Sequence, residues 1–275
     1  MSLKLNVTGA NGFIGQAILK YCDENGIPVR GFSRTPPKSV NITQVANYKD
    51  LVNIVDCGPL IHLAECNVVA QLNEDIAKQQ HDVVDTLCHL NFSKIVYASS
   101  AAIYGSCDQD IVVSSNEFVD TVYAKAKRKN EKRVLCHQGG VVARLSNVIG
   151  EGMNRDTVIP TILSQLGNKT LSVFSTKPIR DFVSVNDVAS ALTELALNNE
   201  YGVFHIGSGT GHSVSDLITC AARLKKLPCP DISESKPNIP KSRIVLDISD
   251  SLLRLDWQPT KTLEDSILSL MESGE

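Results

Sequence analysis

Leu3-Lys4-Leu5-Asn6-Val7-Thr8-Gly9-Ala10-Asn11-Gly12-Phe13-Ile14-Gly15 decides the fold. An apolar run, Leu3–Val7, reads as a buried strand and breaks into three glycines. Ile14, Ala17, Ile18 and Tyr21 then recur at spacings of three and four, which predicts a helix over Ile14–Tyr21. A strand turning sharply into a helix aims unpaired backbone N–H groups at one point, where an anion such as a dinucleotide pyrophosphate sits. The glycines serve the tight turn, the close approach of phosphate to backbone, and the helix–strand packing. An ordinary strand–helix turn is the plainer reading of three glycines. A second apolar run at Ile27–Phe32, where a βαβ unit needs its next strand, favours nucleotide binding instead. No Gly-Lys-Ser/Thr follows, which argues against a Walker-type phosphate loop.

The alternation continues. Leu60–Ala64, Lys94–Ala98 and Gly140–Arg144 read as buried strands, and Val40–Val45 as a weaker one. Asn73–Leu90 and Val122–Cys136 read as helices. This predicts an α/β chain with a Rossmann-type doubly wound parallel sheet, its ligands at the carboxyl ends of the strands. After Arg144 the pattern loosens. Thr157–Gly167, Asp187–Leu197, Val214–Leu224 and Leu263–Met271 read as helices, and Gly202–Ile206 as a late strand returning to the sheet. Leu227–Ser242, rich in Pro, Ser and Lys, reads as an extended surface loop. The expected division is a dinucleotide-binding domain over 1–146 plus about 179–207, and a smaller C-terminal substrate-binding lobe over about 147–178 plus 208–275.

The chain's 275 residues, 43% hydrophobic, suffice for a large core. A net charge of −3 gives no bulk attraction to nucleic acid or membrane. No apolar run reaches about 18 residues, and the amino terminus runs straight into a strand, so neither a membrane span nor a signal peptide is expected. Eight cysteines without a C-x-x-C pair read as reduced thiols in a cytoplasmic protein, and no metal site is expected. His62 lies in an apolar run and reads as a satisfied core histidine.

Tyr123-Ala124-Lys125-Ala126-Lys127 opens the helix after the fourth strand region. Positions i and i+4 share a helix face, so the phenol of Tyr123 and the ammonium of Lys127 point into one site. A phenol is a poor base at neutral pH, and a nearby ammonium favours the phenolate. Such a Tyr takes a proton from a hydroxyl as hydride leaves its carbon, or returns it to a carbonyl. On its own the pair reads better as a half-buried Tyr beside a solvated basic stripe, since Lys125, Arg128, Lys129, Lys132 and Arg133 surround it. Upstream, the strand in Ile95-Val96-Tyr97-Ala98-Ser99-Ser100 ends in two serines, either caps of the next turn or donors to a substrate oxygen. Glycine loop, serine and Tyr/Lys pair stand in the order one active site requires.

Together these residues resemble the extended short-chain dehydrogenase/reductases, of the NAD-dependent epimerase/dehydratase type that acts on nucleotide sugars. Gly9, Gly12 and Gly15 match the glycine motif. Ile61-His62-Leu63-Ala64 matches the strand end lining the cofactor, and Ser100-x-x-Ile103-Tyr104-Gly105 the Ser/Thr segment. Tyr123 and Lys127 match the catalytic pair, and Glu131 a Glu frequent on that helix. Arg144-Leu145-Ser146-Asn147, Arg180-Asp181-Phe182-Val183 through Ala189, and Asp247-Ile248-Ser249 with Leu255-Asp256-Trp257-Gln258-Pro259 match later segments.

The resemblance implies catalysis by Ser100, Tyr123 and Lys127. It implies cofactor contacts from Gly9, Asn11, Gly12, Phe13, Ile14, Gly15, Ser33, Arg34, Asn47, Tyr48, Leu63, Ala64, Tyr123 and Lys127, and substrate contacts from Ser100, Asn147 and Arg180. Arg180 would hold the diphosphate of a nucleotide sugar. A homodimer pairing through Asn73–Leu90 and Val122–Cys136 fits the same likeness.

Departures narrow the chemistry. Ala101 and Ala102 stand where dehydratases carry Asp-Glu, and Ala102 where epimerase-reductases of the fucose type carry Cys. Asn147–Asn154 lacks the His of the latter. The expected reaction is therefore 4-epimerisation or 4-keto reduction. A reductase of a non-nucleotide carbonyl and a non-catalytic cofactor sensor are the alternatives. Glu65 replaces a usual small residue, the stretch from Arg34 to Leu60 is short, Asp256 stands where Gly is usual, and Lys236 lies near a nucleotide-contacting Arg position. The acid that NAD-preferring sites place after the second strand is absent. Ser33-Arg34 stands there, which leans the cofactor toward NADP over NAD unless Arg34 is a solvated loop residue.

Overall fold

The computed structural model describes residues 4–53, 57–66 and 71–273; Leu3, first residue of the expected opening strand, lies outside them. The first half alternates β1 (Leu5–Thr8), α1 (Phe13–Glu24), β2 (Val29–Ser33), β3 (Ile42–Gln44), β4 (Leu60–His62), α2 (Glu74–Cys88), β5 (Ile95–Ser100), α3 (Val122–Leu135) and β6 (Gly140–Leu145). Then come β7 (Asn147–Ile149), α4 (Val158–Gln165), β8 (Thr170–Val173), β9 (Ile179–Ser184), α5 (Val185–Leu197) and β10 (Gly202–Ile206). The chain ends with β11 (Gly211–Ser213), α6 (Val214–Leu224), β12 (Asp231–Glu234), β13 (Arg243–Ile244), α7 (Ser249–Arg254) and α8 (Leu263–Glu272).

Seven strands form one sheet in the order β3-β2-β1-β4-β5-β6-β10, every neighbouring pair parallel. The chain leaves β1 toward β2 and β3 on one side and resumes at β4 on the other. The carboxyl ends of β1 and β4 therefore flank a topological switch point, where such sheets bind ligands. Period-two alternation divides the strands between two cores. Val96 and Ala98 of β5 pack with Leu5, Val7, Ile18 and Leu192 on the face covered by α1 and α5. Ile95 and Tyr97 pack with Leu60, Val84, Leu87 and Val134 on the face covered by α2 and α3.

A smaller layer caps the carboxyl edge. β9 is central to a four-stranded sheet, antiparallel to β11 and parallel to β13 and β7. Ile149, Ile162, Phe182, Ile218 and Ile267 pack between it and α4, α6 and α8. Of the stretch 179–207, α5 packs on the large sheet and β10 is its edge strand. Ile179–Ser184 instead hydrogen-bonds into the small sheet, because β7, β11 and β13 supply its backbone partners. Leu227–Ser242 is also more ordered than a surface loop, since β12 pairs in parallel with β8, Asp231↔Thr170 through Glu234↔Val173.

Helix α3 is tied to the sheet by a buried ion pair. Arg144 on β6 donates from Nε and Nη2 to the two oxygens of Glu131, at 3.0 and 2.7 Å, and Glu131 is fully buried. Ser99 Oγ donates to the same carboxylate at 2.5 Å, and Glu117 takes a further guanidinium hydrogen at 2.6 Å. Removing one member of such a pair strands a buried charge. Arg144→Met should therefore cost about 3–5 kcal/mol of unfolding free energy, read from urea denaturation. A loss below about 1 kcal/mol would show the pair to be dispensable.

Candidate active site

The glycine loop is a fitted turn. Gly9 has φ +71°, and a Cβ there would lie 3.0 Å from the Leu63 and Ala64 backbone. A Cβ on Gly15 would lie 2.4 Å from the Gly9 carbonyl oxygen, so α1 could not approach β1 as closely. Gly12 is the N-cap of α1 with no side-chain cap bond, and no acid sits in the first turn. The leading N–H groups of the helix stay open to an anion. Asn11 faces the other way, donating to Thr35 Oγ1 at 2.8 Å and the Pro36 carbonyl at 2.7 Å, and accepting from Lys38 N–H at 3.1 Å.

The loop borders a cleft of about 330 Å³ at the switch point. Gly9, Gly12, Phe13, Ile14, Gly15 and Leu63 line one side; Ser100, Tyr123 and Lys127 line the other. Ser100 Oγ accepts from Ala102 N–H at 3.1 Å as a cap, and the residue lines the cleft. Tyr123 and Lys127 share a face of α3 capped by Thr121, with the Lys127 nitrogen 5.8 Å from the Tyr123 ring centre.

Glu65 was legible in the sequence only as a departure, and it occupies a central place. Its carboxylate accepts from Lys127 Nζ at 2.7 Å, Tyr97 Oη at 2.8 Å and Asn130 Nδ2 at 2.7 Å, and its side chain is 4% exposed. Burial alone would raise the pKa of this carboxyl and lower that of the ammonium. Each outweighs burial for the other, so Glu65 lies below the usual carboxylate value and Lys127 above the usual lysine value. The pair is charged. Ala98 O takes a second Lys127 hydrogen at 2.8 Å.

Two further cavities hold the remaining expected residues. Arg34, Asn47, Tyr48 and Ala64 line one of about 320 Å³, into which Glu65 also reaches. Arg34 lies 5.6 Å from the Tyr48 ring centre and has no ion-pair partner among the described residues. Ser33 is buried at the end of β2 and bonds Thr35. Asn147 and Arg180 line the other cavity, also about 320 Å³. Arg180 donates to Ile179 O, Ser242 O and Ser242 Oγ and meets no carboxylate among the described residues; burial lowers its pKa. Asn147 donates to the Asp181 carbonyl at 3.1 Å. The expected site residues line one or another of these three cavities, apart from Asn11 and Ser33, whose side chains bond Thr35.

The family model for the NAD dependent epimerase/dehydratase family matches residues 5–207. The chain belongs to this family. It is 26% identical to dTDP-4-dehydro-6-deoxyglucose reductase of Escherichia coli, over 97% of this chain and 96% of that protein. Its fold superposes on UDP-glucose 4-epimerase of Thermotoga maritima, solved with UDP-glucose, with TM-score 0.85, 21% identity and 99% and 100% coverage. It superposes on MoeE5, solved with UDP-glucose and NAD, with TM-score 0.83, 22% identity and 98% and 97% coverage. No helix among the described residues is long and apolar enough to cross a membrane.

Within this epimerase/dehydratase framework His62 is only half satisfied, contrary to the sequence reading. Nδ1 meets Thr8 Oγ1 at 2.7 Å, while Nε2, buried, has no partner and the ring lines the cleft. Burial lowers its pKa to about 4. His205, fully buried, is also held down to about 4 by burial. Its Nδ1 donates to the Asp247 carbonyl, so Nε2 accepts from Tyr104 Oη at 2.7 Å. Both rings are neutral when folded and take up protons on unfolding below about pH 6.5. Their stabilisation is complete above that pH and is lost as pH falls toward 4, by roughly 3 kcal/mol per ring. Urea denaturation at about pH 7 and about pH 4.5 should show this loss, and His62→Gln should remove a large part of it. An equal acid sensitivity in that variant would refute the assignment.

Proposed function

We propose that this protein is an NAD(P)-dependent enzyme that moves hydride to or from the 4-position of a nucleotide-linked sugar, as a 4-keto-sugar reductase or a 4-epimerase. The observation that carries this is the convergence of Ser100, Tyr123 and Lys127 on the cleft bordered by the glycine loop, together with Arg180, which lines a second cavity and meets no carboxylate among the described residues. The relatives named above include a 4-keto-sugar reductase and a fold neighbour that is a 4-epimerase. Ala101 and Ala102 supply no acid or base for elimination of water.

The residues fit a dinucleotide. The space a Cβ would fill at Gly9 and Gly15 is used for close packing, and the open N-terminus of α1 suits a pyrophosphate. A nicotinamide, when bound, supplies or accepts hydride at the sugar carbon. Tyr123 gives its phenolic proton to the sugar oxygen or takes one from it. The Ser100 hydroxyl, whose oxygen already accepts from Ala102 N–H, keeps its proton to donate to that oxygen. Lys127 has three hydrogens, two of them spent on Glu65 and Ala98; the third is free for a ribose hydroxyl. Arg180 uses three of its five N–H groups on the protein and retains two for phosphate oxygens. At the far end, Arg34 and the absence of an acid after β2 support NADP as the preferred cofactor.

Tyr123→Phe should lower turnover of a nucleotide-linked 4-keto sugar by about 10²–10⁴-fold and leave cofactor affinity within a few-fold. Wild-type-like turnover in that variant would sink the assignment of Tyr123. Thermal-shift titrations separate the two ends of the site. Arg180→Met should abolish the shift given by nucleoside diphosphates and keep that given by cofactor. Arg34→Ala should cut the preference for NADPH over NADH about tenfold. Tighter NADH binding by the wild type, unaffected by Arg34→Ala, would overturn the NADP preference.

A further inference from the structure

Two histidines are buried among the described residues, and the fold treats them differently. Both nitrogens of His205 have partners, Asp247 O and Tyr104 Oη. His62, 2% exposed, has one: Nδ1 meets Thr8 Oγ1 at 2.7 Å, and Nε2 meets nothing. The hydrogens decide what Nε2 is. Thr8 is fully buried, and its hydroxyl has two partners among the described residues. Leu63 N–H donates to it at 3.3 Å, and His62 Nδ1 is the other. If Nδ1 carried the ring hydrogen, the Thr8 hydroxyl hydrogen and the Nε2 lone pair would both be stranded. With Thr8 donating, Nδ1 accepts and the hydrogen sits on Nε2. One buried N–H is then left without an acceptor, a state that buried donors rarely hold. His62 lines the reaction cleft together with Leu63, Glu65 and Lys127. The protein's own acceptors there are already engaged. The Glu65 carboxylate receives Lys127, Tyr97 and Asn130, and Ala98 O receives Lys127.

We propose that His62 is a further cofactor-binding residue: Thr8 fixes its Nε2 as a donor, and that N–H takes a ribose hydroxyl oxygen of the dinucleotide held in the cleft. This rests on the cofactor reading above. Three observations choose the ligand. The donor is uncharged, because burial keeps the ring neutral, so it matches an uncharged oxygen better than a phosphate. The pyrophosphate has its own place at the open N-terminus of α1. Lys127, with one hydrogen free for a ribose hydroxyl, is a neighbour of the imidazole. Its Nζ lies 5.0 Å from the Tyr97 ring centre, and the His62 ring centre lies 6.2 Å from the same point. A ribose carries two adjacent hydroxyls, one for Lys127 and one for His62. The strands supply the placement. Thr8, His62 and Tyr97 stand side by side on β1, β4 and β5, and the stacked Tyr97 ring holds the plane of the imidazole. Thr8 is thus a positioning residue that acts through His62.

The test observes the imidazole directly. In protein labelled with ¹⁵N at histidine, the ring spectrum assigns each tautomer, and the His62 signals are those lost in His62→Gln. They should show hydrogen on Nε2. Saturating NADPH should shift the Hε2 signal and slow its exchange with solvent, whereas uridine diphosphate should leave it in place. Thr8→Val should raise the share of the Nδ1–H tautomer. His62→Leu should weaken NADPH binding about tenfold, and His62→Gln, whose amide can donate instead, by less than about threefold. Affinity for uridine diphosphate should stay unchanged in both. Should the Leu variant misfold, the wild-type spectrum decides alone. A ring found as Nδ1–H would overturn the proposal. So would an Hε2 signal that NADPH leaves unmoved, which would mean that a buried water takes the hydrogen. A wild type that binds neither NADPH nor NADH would overturn the cofactor reading and this proposal with it.

Discussion

Helix α3 sits on the sheet through charge as much as through apolar packing, and the site depends on this. Tyr123, Lys127 and Glu131 follow one another at intervals of four along a single face. Glu131 is locked to Arg144, Lys127 to Glu65, and Tyr123 is left at the open end. In a low-dielectric interior each ion has one arrangement that satisfies it, and any slippage of the helix strands a charge. Apolar contacts tolerate small displacements; two buried ion pairs one turn apart do not. The register of α3 against β5 and β6, and so the place where Tyr123 meets the cleft, follows from them.

The architecture was readable because parallel strands buried on both faces are near-continuous apolar runs, and β6 and most of β5 are such runs. The glycine loop and the Tyr123/Lys127 pair were readable because they depend on spacing within a few residues. β12 was not, because its side chains are largely exposed and its pairing with β8 runs through backbone alone. The membership of β9 in the small sheet was hidden for a related reason: it is as buried as a strand of the large one, and partner choice leaves no local mark. The role of Glu65 was out of reach from local pattern. Its partner is 62 residues away, and only the fold brings them to 2.7 Å. The unpaired Nε2 of His62 was masked by the apolar run around it, which promised a histidine satisfied on both sides.

The three cavities share few walls. Glu65 borders two of them, the reaction cleft and the Arg34 cavity, and its neighbours Leu63 and Ala64 pack on Gly9. The short segment after β4 is thus a hub: it closes the glycine turn, compensates Lys127 and walls the Arg34 cavity. The small sheet contributes to the third, where β9 carries Arg180 and its backbone holds Asn147.

The Asn11 side chain has a practical consequence. It staples the glycine turn to the segment after β2 through Thr35, Pro36 and Lys38. The part of the chain proposed to grip phosphates and the part proposed to tell one dinucleotide from another are therefore mechanically one piece. An engineer who exchanged residues 33–38 wholesale to retune that discrimination would also loosen the turn beside it. Single changes at Arg34, which leave the staple intact, offer the cleaner route.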